Sequence, residues 1–318
     1  MRSFSHRHLP IIATAVLICA LAVSACSSED ETDKSPSTSE TNTSVSNDYL
    51  AERSAAVAMP KETGTALVQN DYISIDAGNA SSGYFIVRCE DTGGRKLKLG
   101  VTKNDKTYYY DIGGSKDPLC FPFQSGDGKY AITVHEQVEG DRYATVLSSI
   151  VTVALTSEFS PFLLPNVYVN YTPSSPSVRF GFLLTQDSKT DLESVDRIFS
   201  YLVTSIKYDY SKADDVASGK LSAYIPNIDD TLSSKKGICF DYASLFAAML
   251  RSEGIPAKLV MGYALPEGVY HAWNMIYIRD VGWVEKEIYS DGKNWQLADA
   301  TLASTGADAA SYQPIDEY

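Results

Sequence analysis

The sequence predicts an α+β fold in which an all-β, sandwich-like region precedes a mixed region of helices and strands. Three observations predict it. Short runs with strand character, bounded by Gly, Asn and Asp clusters, recur through residues 65–156. Two segments with helical apolar spacing follow, one over residues 190–206 and one starting at Cys239. Strand-like runs then return after Pro256. With 44% apolar and 21% charged residues the chain can bury a sizeable core, which excludes a wholly disordered or collagenous protein.

The N-terminal 25 residues read as a secretory signal: Arg2 and Arg7 precede an apolar stretch over residues 9–23, and Ser24 and Ala25 are small. The stretch is short for a membrane span and is interrupted by Pro10 and Thr14. Val23-Ser24-Ala25-Cys26 resembles the bacterial lipobox, which implies lipidation of Cys26 and cleavage before it; a plain cleaved signal is the alternative. The expected location is therefore a bacterial cell membrane, lipid-anchored and facing outside. Residues 26–64 are expected to be a disordered tether and lead-in, because 27–47 are almost entirely Ser, Thr, Asp, Glu and Asn.

The chain carries 27 Lys and Arg against 40 Asp and Glu, a net charge of −13. Removing residues 1–25 takes away two basic residues and no acid, leaving 25 against 40, or −15. Such a surface repels phosphate backbones, so no nucleic-acid partner is expected.

In the β-region the clearest strands are residues 84–89, 96–101, 107–112, 130–136 and 143–155, with a hairpin loop centred on Glu139-Gly140-Asp141. Their spacing suggests a sandwich of immunoglobulin or fibronectin type. Of the five cysteines, Cys19 leaves with the signal and Cys26 is the expected lipid site. Cys89 and Cys120 lie 31 positions apart in a compartment that permits disulfides, so a bridge is expected, with two buried free thiols as the alternative. Cys239 is left unpaired.

Residues 157–318 form the second expected domain. In residues 190–206, Leu192, Val195, Ile198, Phe199, Leu202 and Ile206 share one helical face, with Thr190 and Glu193 placed as a capping box. Tyr242, Leu245, Phe246, Met249 and Leu250 make the apolar face of the next helix, which Gly254 and Pro256 stop. Cys239 thus falls at a helix start, where the macrodipole and free N–H groups favour an anionic sulfur. Strands follow over residues 257–264 and 270–278. On the latter, His271 and Trp273 share one face while Ala272 and Asn274 share the other. Two further runs, 283–289 and 295–301, end the pattern, with Asp299 on the last. Outside the signal the only histidines are His135 and His271, so a histidine base for Cys239 within its own domain must be His271.

Gly237-Ile238-Cys239-Phe240-Asp241, Arg251-Ser252-Glu253-Gly254-Ile255-Pro256-Ala257, Gly262-Tyr263, His271-Ala272-Trp273-Asn274 and Asp299-Ala300-Thr301 together resemble the core of the transglutaminase-like superfamily, over about residues 185–302. The resemblance implies a papain-like α/β core with Cys239 as nucleophile, His271 as base and acid, and Asp299 orienting the imidazole. The 28 positions from His271 to Asp299 exceed the spacing of compact members, which leaves Glu285 and Glu287 as other acids. Asp299 is preferred because the run from Trp295 to Thr301 matches the family's Trp to Asp-x-Thr spacing. The Cys239 N–H is the expected oxyanion donor and Tyr224 a candidate second donor. Trp273 is read as a wall of the site and Asp241 as a first-turn dipole partner.

What the resemblance implies is a surface-anchored thiol enzyme that forms a thioester with an extracellular protein or peptide amide, of cysteine-protease or transglutaminase type. The alternative is a catalytically idle surface scaffold that binds through the β-domain. No metal-ligand cluster, Gly-rich phosphate loop or calcium loop is present in the sequence, so no cofactor and no metal are expected. Oligomeric state is not encoded in any motif.

Overall fold

The computed structural model describes residues 47–90, 94–113, 117–221, 223–285, 287–289, 295–297, 299–307 and 311–318. The expected signal segment, Cys26 and the expected tether through residue 46 lie outside the described residues, as do residues 290–294. Among the described residues no helix is long and apolar enough to cross a membrane. The lead-in expected to be disordered to residue 64 instead opens with helix α1 (Asn47–Ala56). Leu50 and Val57 bury one side of this segment, Arg53 pairs with Glu253 and lies 5.2 Å over the Phe182 ring, and the Tyr49 hydroxyl donates to the Phe182 carbonyl. Apolar residues spaced a helical turn or two apart give it a face to bury, which the preceding Ser/Thr-rich stretch lacks.

Eight strands follow: β1 (Leu67–Gln69), β2 (Ile73–Asp76), β3 (Tyr84–Cys89), β4 (Leu97–Lys103), β5 (Lys106–Asp111), β6 (Leu119–Pro122), β7 (Gly128–Glu139) and β8 (Arg142–Val153). They make two antiparallel sheets, ordered β1-β2-β3-β6 and β5-β4-β7-β8. Alternation sends Leu97, Leu99 and Val101 of β4 and Tyr130, Ile132 and Val134 of β7 inward. Edge-to-face contacts join the two sheets, Tyr110 on Phe121 and Phe123 on Tyr130, each at 4.9 Å. The region is a two-sheet sandwich, and the β7–β8 hairpin turns at Gly140 (φ +52°), as its Glu-Gly-Asp loop predicts. The sequence reading missed β1, β2 and β6, which at three or four residues are too short to display a period.

The expected Cys89–Cys120 bridge is not formed; both are free thiols. Cys120 pairs in register with Ile86, and Cys89 stands three residues further along β3. That offset is roughly 10 Å at about 3.3 Å per residue and lies on the opposite face of the sheet. A disulfide needs Cα atoms within about 7 Å.

The second half is built around one helix. Its elements are α2 (Pro176–Thr185), α3 (Asp191–Ser205), β9 (Lys207–Tyr208), α4 (Tyr210–Ala217), α5 (Ile228–Ser234), β10 (Lys236–Gly237), α6 (Cys239–Ser252), β11 (Ala257–Leu265), β12 (Val269–Ile278), β13 (Gly282–Val284), β14 (Glu287–Tyr289), β15 (Trp295–Leu297), α7 (Ala300–Thr305) and β16 (Ser311–Glu317). Every residue of α6 from Asp241 to Ser252 is buried, as befits a helix enclosed by α2, α3, α5, α7 and the sheet β13-β12-β11-β16. Thr190 caps α3 by accepting from the Glu193 N–H at 3.2 Å; the Glu193 carboxylate answers to the Lys189 N–H, one residue before the capping-box position.

Helix α6 ends in a Schellman motif: Gly254 (φ +80°) donates to Arg251 O and Ile255 to Leu250 O, both at 3.0 Å. Arg251 is buried, and its hydrogen bonds go to backbone oxygens. Its guanidinium donates to three backbone oxygens, Ala257 at 2.9 Å, Leu164 at 2.8 Å and Tyr318 at 2.8 Å. Burial pushes it down to about 10, so it stays charged at neutral pH and joins three chain segments through charge-assisted bonds.

The two halves share one hydrophobic cluster. Tyr318 exchanges backbone hydrogen bonds with Leu259 (2.7 and 2.8 Å), and its ring meets Tyr108 at 5.8 Å, Tyr110 at 5.6 Å and Tyr168 at 4.8 Å. Replacing Arg251 with Ala leaves three backbone oxygens short of a donor and removes the link between them. Urea unfolding should show a loss of about 3 kcal/mol or more; a loss under about 1 kcal/mol would mean that water replaces the guanidinium.

Candidate active site

Cys239 is the first residue of α6, and its backbone is set by a glycine and an acid. Strand β10 pairs in parallel with β9, and Asp209 N–H donates to Gly237 O at 2.9 Å. A Cβ on Gly237 would sit 2.6 Å from Asp241 Cβ, so the Gly-x-Cys spacing reflects a close approach that only glycine permits. Asp241 is fully buried. Its Oδ2 accepts from Ile238 N–H at 2.8 Å and from Lys212 Nζ at 3.0 Å, and its Oδ1 accepts from the Tyr224 hydroxyl. Ile238 has no polar side chain to complete a capping box, so Asp241 alone ties down the turn that carries the thiol.

His271 is buried on β12, opposite Gly262 of β11. Its Nε2 bonds Asp299 Oδ2 at 2.6 Å, and the Cys239 thiol is within hydrogen-bonding reach of the same ring. Asp299 is not on a strand, as expected from the sequence, but is the N-cap of α7. Its Oδ1 accepts from Thr301 N–H (3.0 Å) and Leu302 N–H (3.1 Å), which leaves Oδ2 for the imidazole. The Asp-x-Thr spacing is thus a helix cap whose spare oxygen faces the histidine. Tyr312 of β16 also donates to Oδ2, at 3.0 Å. The sequence reading did not include Tyr312, which lies outside every quoted motif.

Burial alone would lower the His271 imidazole. The Asp299 hydrogen bond, then the bond to Cys239, outweigh it and hold the ring up at about 10. The arrangement therefore favours an imidazolium beside the sulfur, held in one orientation by a buried carboxylate.

The other expected residues fall around this centre. Trp273 stacks 6.3 Å from the His271 ring at 13° and donates its Nε1–H to Glu285 Oε1 at 3.2 Å. Glu285 therefore serves Trp273, not His271. The Tyr224 hydroxyl donates a hydrogen bond to Asp241 Oδ1 and accepts one from Lys212 Nζ at 3.1 Å; burial, then the Asp241 bond, push it up to about 12, so it stays protonated at neutral pH. Asn274 donates to Ala243 O at 3.0 Å and Lys258 O at 3.2 Å, locking β12 onto α6 and β11. The side chain of Glu287 lies outside the described residues. Among the described residues no three His, Cys, Asp or Glu side chains gather to hold a metal ion.

This geometry coincides with a sequence match: residues 179–300 fit the family model of the transglutaminase-like superfamily. They form a transglutaminase-like core. The chain is 31% identical over 109 residues to UPF0252 protein MJ1282 of Methanocaldococcus jannaschii, covering 34% of this chain and 30% of that one. It is 30% identical over 131 residues to human kyphoscoliosis peptidase, covering 38% and 17%. The chain thus spans less than a third of the length of these curated relatives. Red sea bream transglutaminase is a solved structure with 12% identity, coverage of 73% and 56%, and a TM-score of 0.26.

The two jobs of Asp299 are separable. Asparagine still caps α7, whereas alanine does not, so Asp299→Ala should unfold about 1 kcal/mol more easily than Asp299→Asn in urea. Both should return the His271 titration, followed by NMR, from about 10 toward 6.5 or below. Because the folded ring titrates above its unfolded value of 6.5, the stability it supplies is complete below pH 6.5 and is lost as pH rises through about 10. A wild-type stability profile that is flat across that window would contradict the His271–Asp299 pairing.

Proposed function

We propose that this chain is a thiol acyl-transfer enzyme acting on protein or peptide amides, with Cys239, His271 and Asp299 as its triad. The observation that carries the reading is the 2.6 Å bond between His271 and a buried, helix-capping Asp299, with the Cys239 thiol at a helix start beside the same imidazole. In the first step the Cys239 sulfur forms a bond to the amide carbonyl carbon. The C–N bond then breaks as imidazolium gives its proton to the departing amine, leaving a thioester and a neutral ring. In the second step His271 takes a proton from the acceptor, whose oxygen or nitrogen displaces Cys239. Water as acceptor gives hydrolysis and an amine gives transamidation. The Cys239 N–H, in the first turn of α6 with no partner four residues back, suits the developing oxyanion.

The human relative is named a peptidase, which favours water as the first acceptor to test. The lipobox-like run at Cys26 supports a location on the outer side of a bacterial membrane, with extracellular protein or peptide as substrate.

Cys89 and Cys120 serve as internal controls, since burial raises both thiols and keeps them protonated. Iodoacetamide should label Cys239 at least about 10-fold faster than either, and His271→Ala should slow the labelling of Cys239 while leaving the other two unchanged. Equal labelling of the three, or labelling indifferent to His271, would sink the enzyme reading in favour of the idle scaffold. A glutamine peptide offered with a fluorescent amine then separates the reactions. Peptide cleavage lost in Cys239→Ala identifies hydrolysis, and amine incorporation lost in the same variant identifies transamidation.

A further inference from the structure

The family-model match ends at residue 300, yet the catalytic sheet has a strand beyond it. Strand β16 pairs antiparallel with β11, with Tyr312 opposite Ala264 and Pro314 opposite Gly262 across a bulge at Met261 and Gly262. A Cβ on Gly262 would lie 2.2 Å from the Gln313 carbonyl oxygen and 2.9 Å from Trp273 Cη2, so glycine is what lets the strand close over Trp273. Tyr312 then lies 4.7 Å from the Trp273 ring, continuing the row that begins at His271.

The tyrosine completes the coordination of the acid. A carboxylate offers about four lone-pair sites. Two backbone N–H groups occupy Oδ1 of Asp299, while His271 Nε2 and the Tyr312 hydroxyl occupy Oδ2. Asp299 is 1% exposed, so an unfilled site there has little water to fill it. The strand that delivers the hydroxyl is held at its far end by the sandwich: Lys106 of β5 pairs with Asp316 at 3.4 Å and donates to Ile315 O, and Tyr318 packs on Tyr108 and Tyr110.

We infer that Tyr312 is a positioning residue for the triad, fixing the Asp299 carboxylate and through it the His271 ring, and that the β-sandwich serves the reaction by clamping the strand that carries it. The inference rests on the acyl-transfer reading for its catalytic consequence, but not for its effect on His271. The charged and titratable groups around that ring are Asp299 on α7, Cys239 on α6, Tyr312 on β16 and, behind Trp273, Glu285 after β13.

The test uses the full chain with 15N-labelled histidine and two variants. Tyr312→Phe keeps the ring on Trp273 and removes only the hydroxyl; Tyr312→Leu removes both. In Tyr312→Phe the Asp299 charge is no longer shared with a hydroxyl, so the His271 Nε2–H resonance should move and the ring's titration should rise by roughly half a unit. Turnover of an amide substrate should drop about 10-fold in kcat with KM changed less than about threefold, because only the alignment of the triad is altered. His271 signals in Tyr312→Phe identical to wild type would overturn the inference. So would a kcat loss seen only in Tyr312→Leu, which would mean that ring packing does everything. If Cys239→Ala proves as active as wild type, the acyl-transfer reading fails, and the NMR comparison still decides the role of Tyr312.

Discussion

The carboxylate of Asp299 is the constraint on which the site depends. A buried anion must be matched by donors, and Asp299 draws them from three elements: two N–H groups of α7, the imidazole of β12 and a hydroxyl of β16. The helix start, the central strand and the edge strand must therefore converge on one point. Because Oδ1 is tied to the helix backbone, Oδ2 has little freedom to rotate, and the imidazole inherits a fixed direction. The cap thus does for the acid what the acid does for the histidine.

The thiol is anchored by a second buried carboxylate on the same plan. Asp241 accepts from the backbone just ahead of Cys239 and from Lys212 and Tyr224, which neutralise and satisfy it. Gly237 exists to let that turn close against Asp241. Cys239 and His271 each sit beside a backbone segment pinned by an acid, and Asn274 holds helix and strand together between them. For the proposed reaction, preorganisation of this kind would place the cost of orienting Cys239 and His271 in the fold instead of in the reaction.

Much of this was legible in the sequence, and the reasons differ by residue. Helices α3 and α6 show their period over fourteen or fifteen residues, and the cap at Thr190 and the stop at Gly254 are local chemistry. Cys239 and His271 could be named because so few cysteines and histidines are available. Asp299 was found by spacing, but its place was misread as strand, since an Asp preceding Ala-Thr looks the same whether it ends a strand or caps a six-residue helix. Helices α4 and α5, at eight and seven residues, carry too little period to stand out. Tyr312 left no signal at all, because a hydroxyl reaching an acid thirteen positions away depends on strand pairing that has no local signature. The disulfide failed for the same reason: separation along the chain says nothing about register.

The sandwich is not separable from the core as its composition suggests. On β5 the residues that point inward, Tyr108 and Tyr110, are members of the sandwich core and also the ones that pack on Tyr318. Tyr110 in addition meets Phe121 of the opposite sheet and Tyr168 of the connecting segment. The apolar interior of the first half therefore runs without interruption into the edge of the sheet that carries His271. A rigid interior transmits displacement, because side chains at crystal-like density have no room to absorb it locally. On the inference drawn above, a shift in the packing around Tyr110 would reach Tyr318 and, along β16, Tyr312 and the oxygen that faces His271. A binding role for the sandwich surface would thus act on the same strand that completes the acid, which makes the first half part of the site's support instead of an appendage to it.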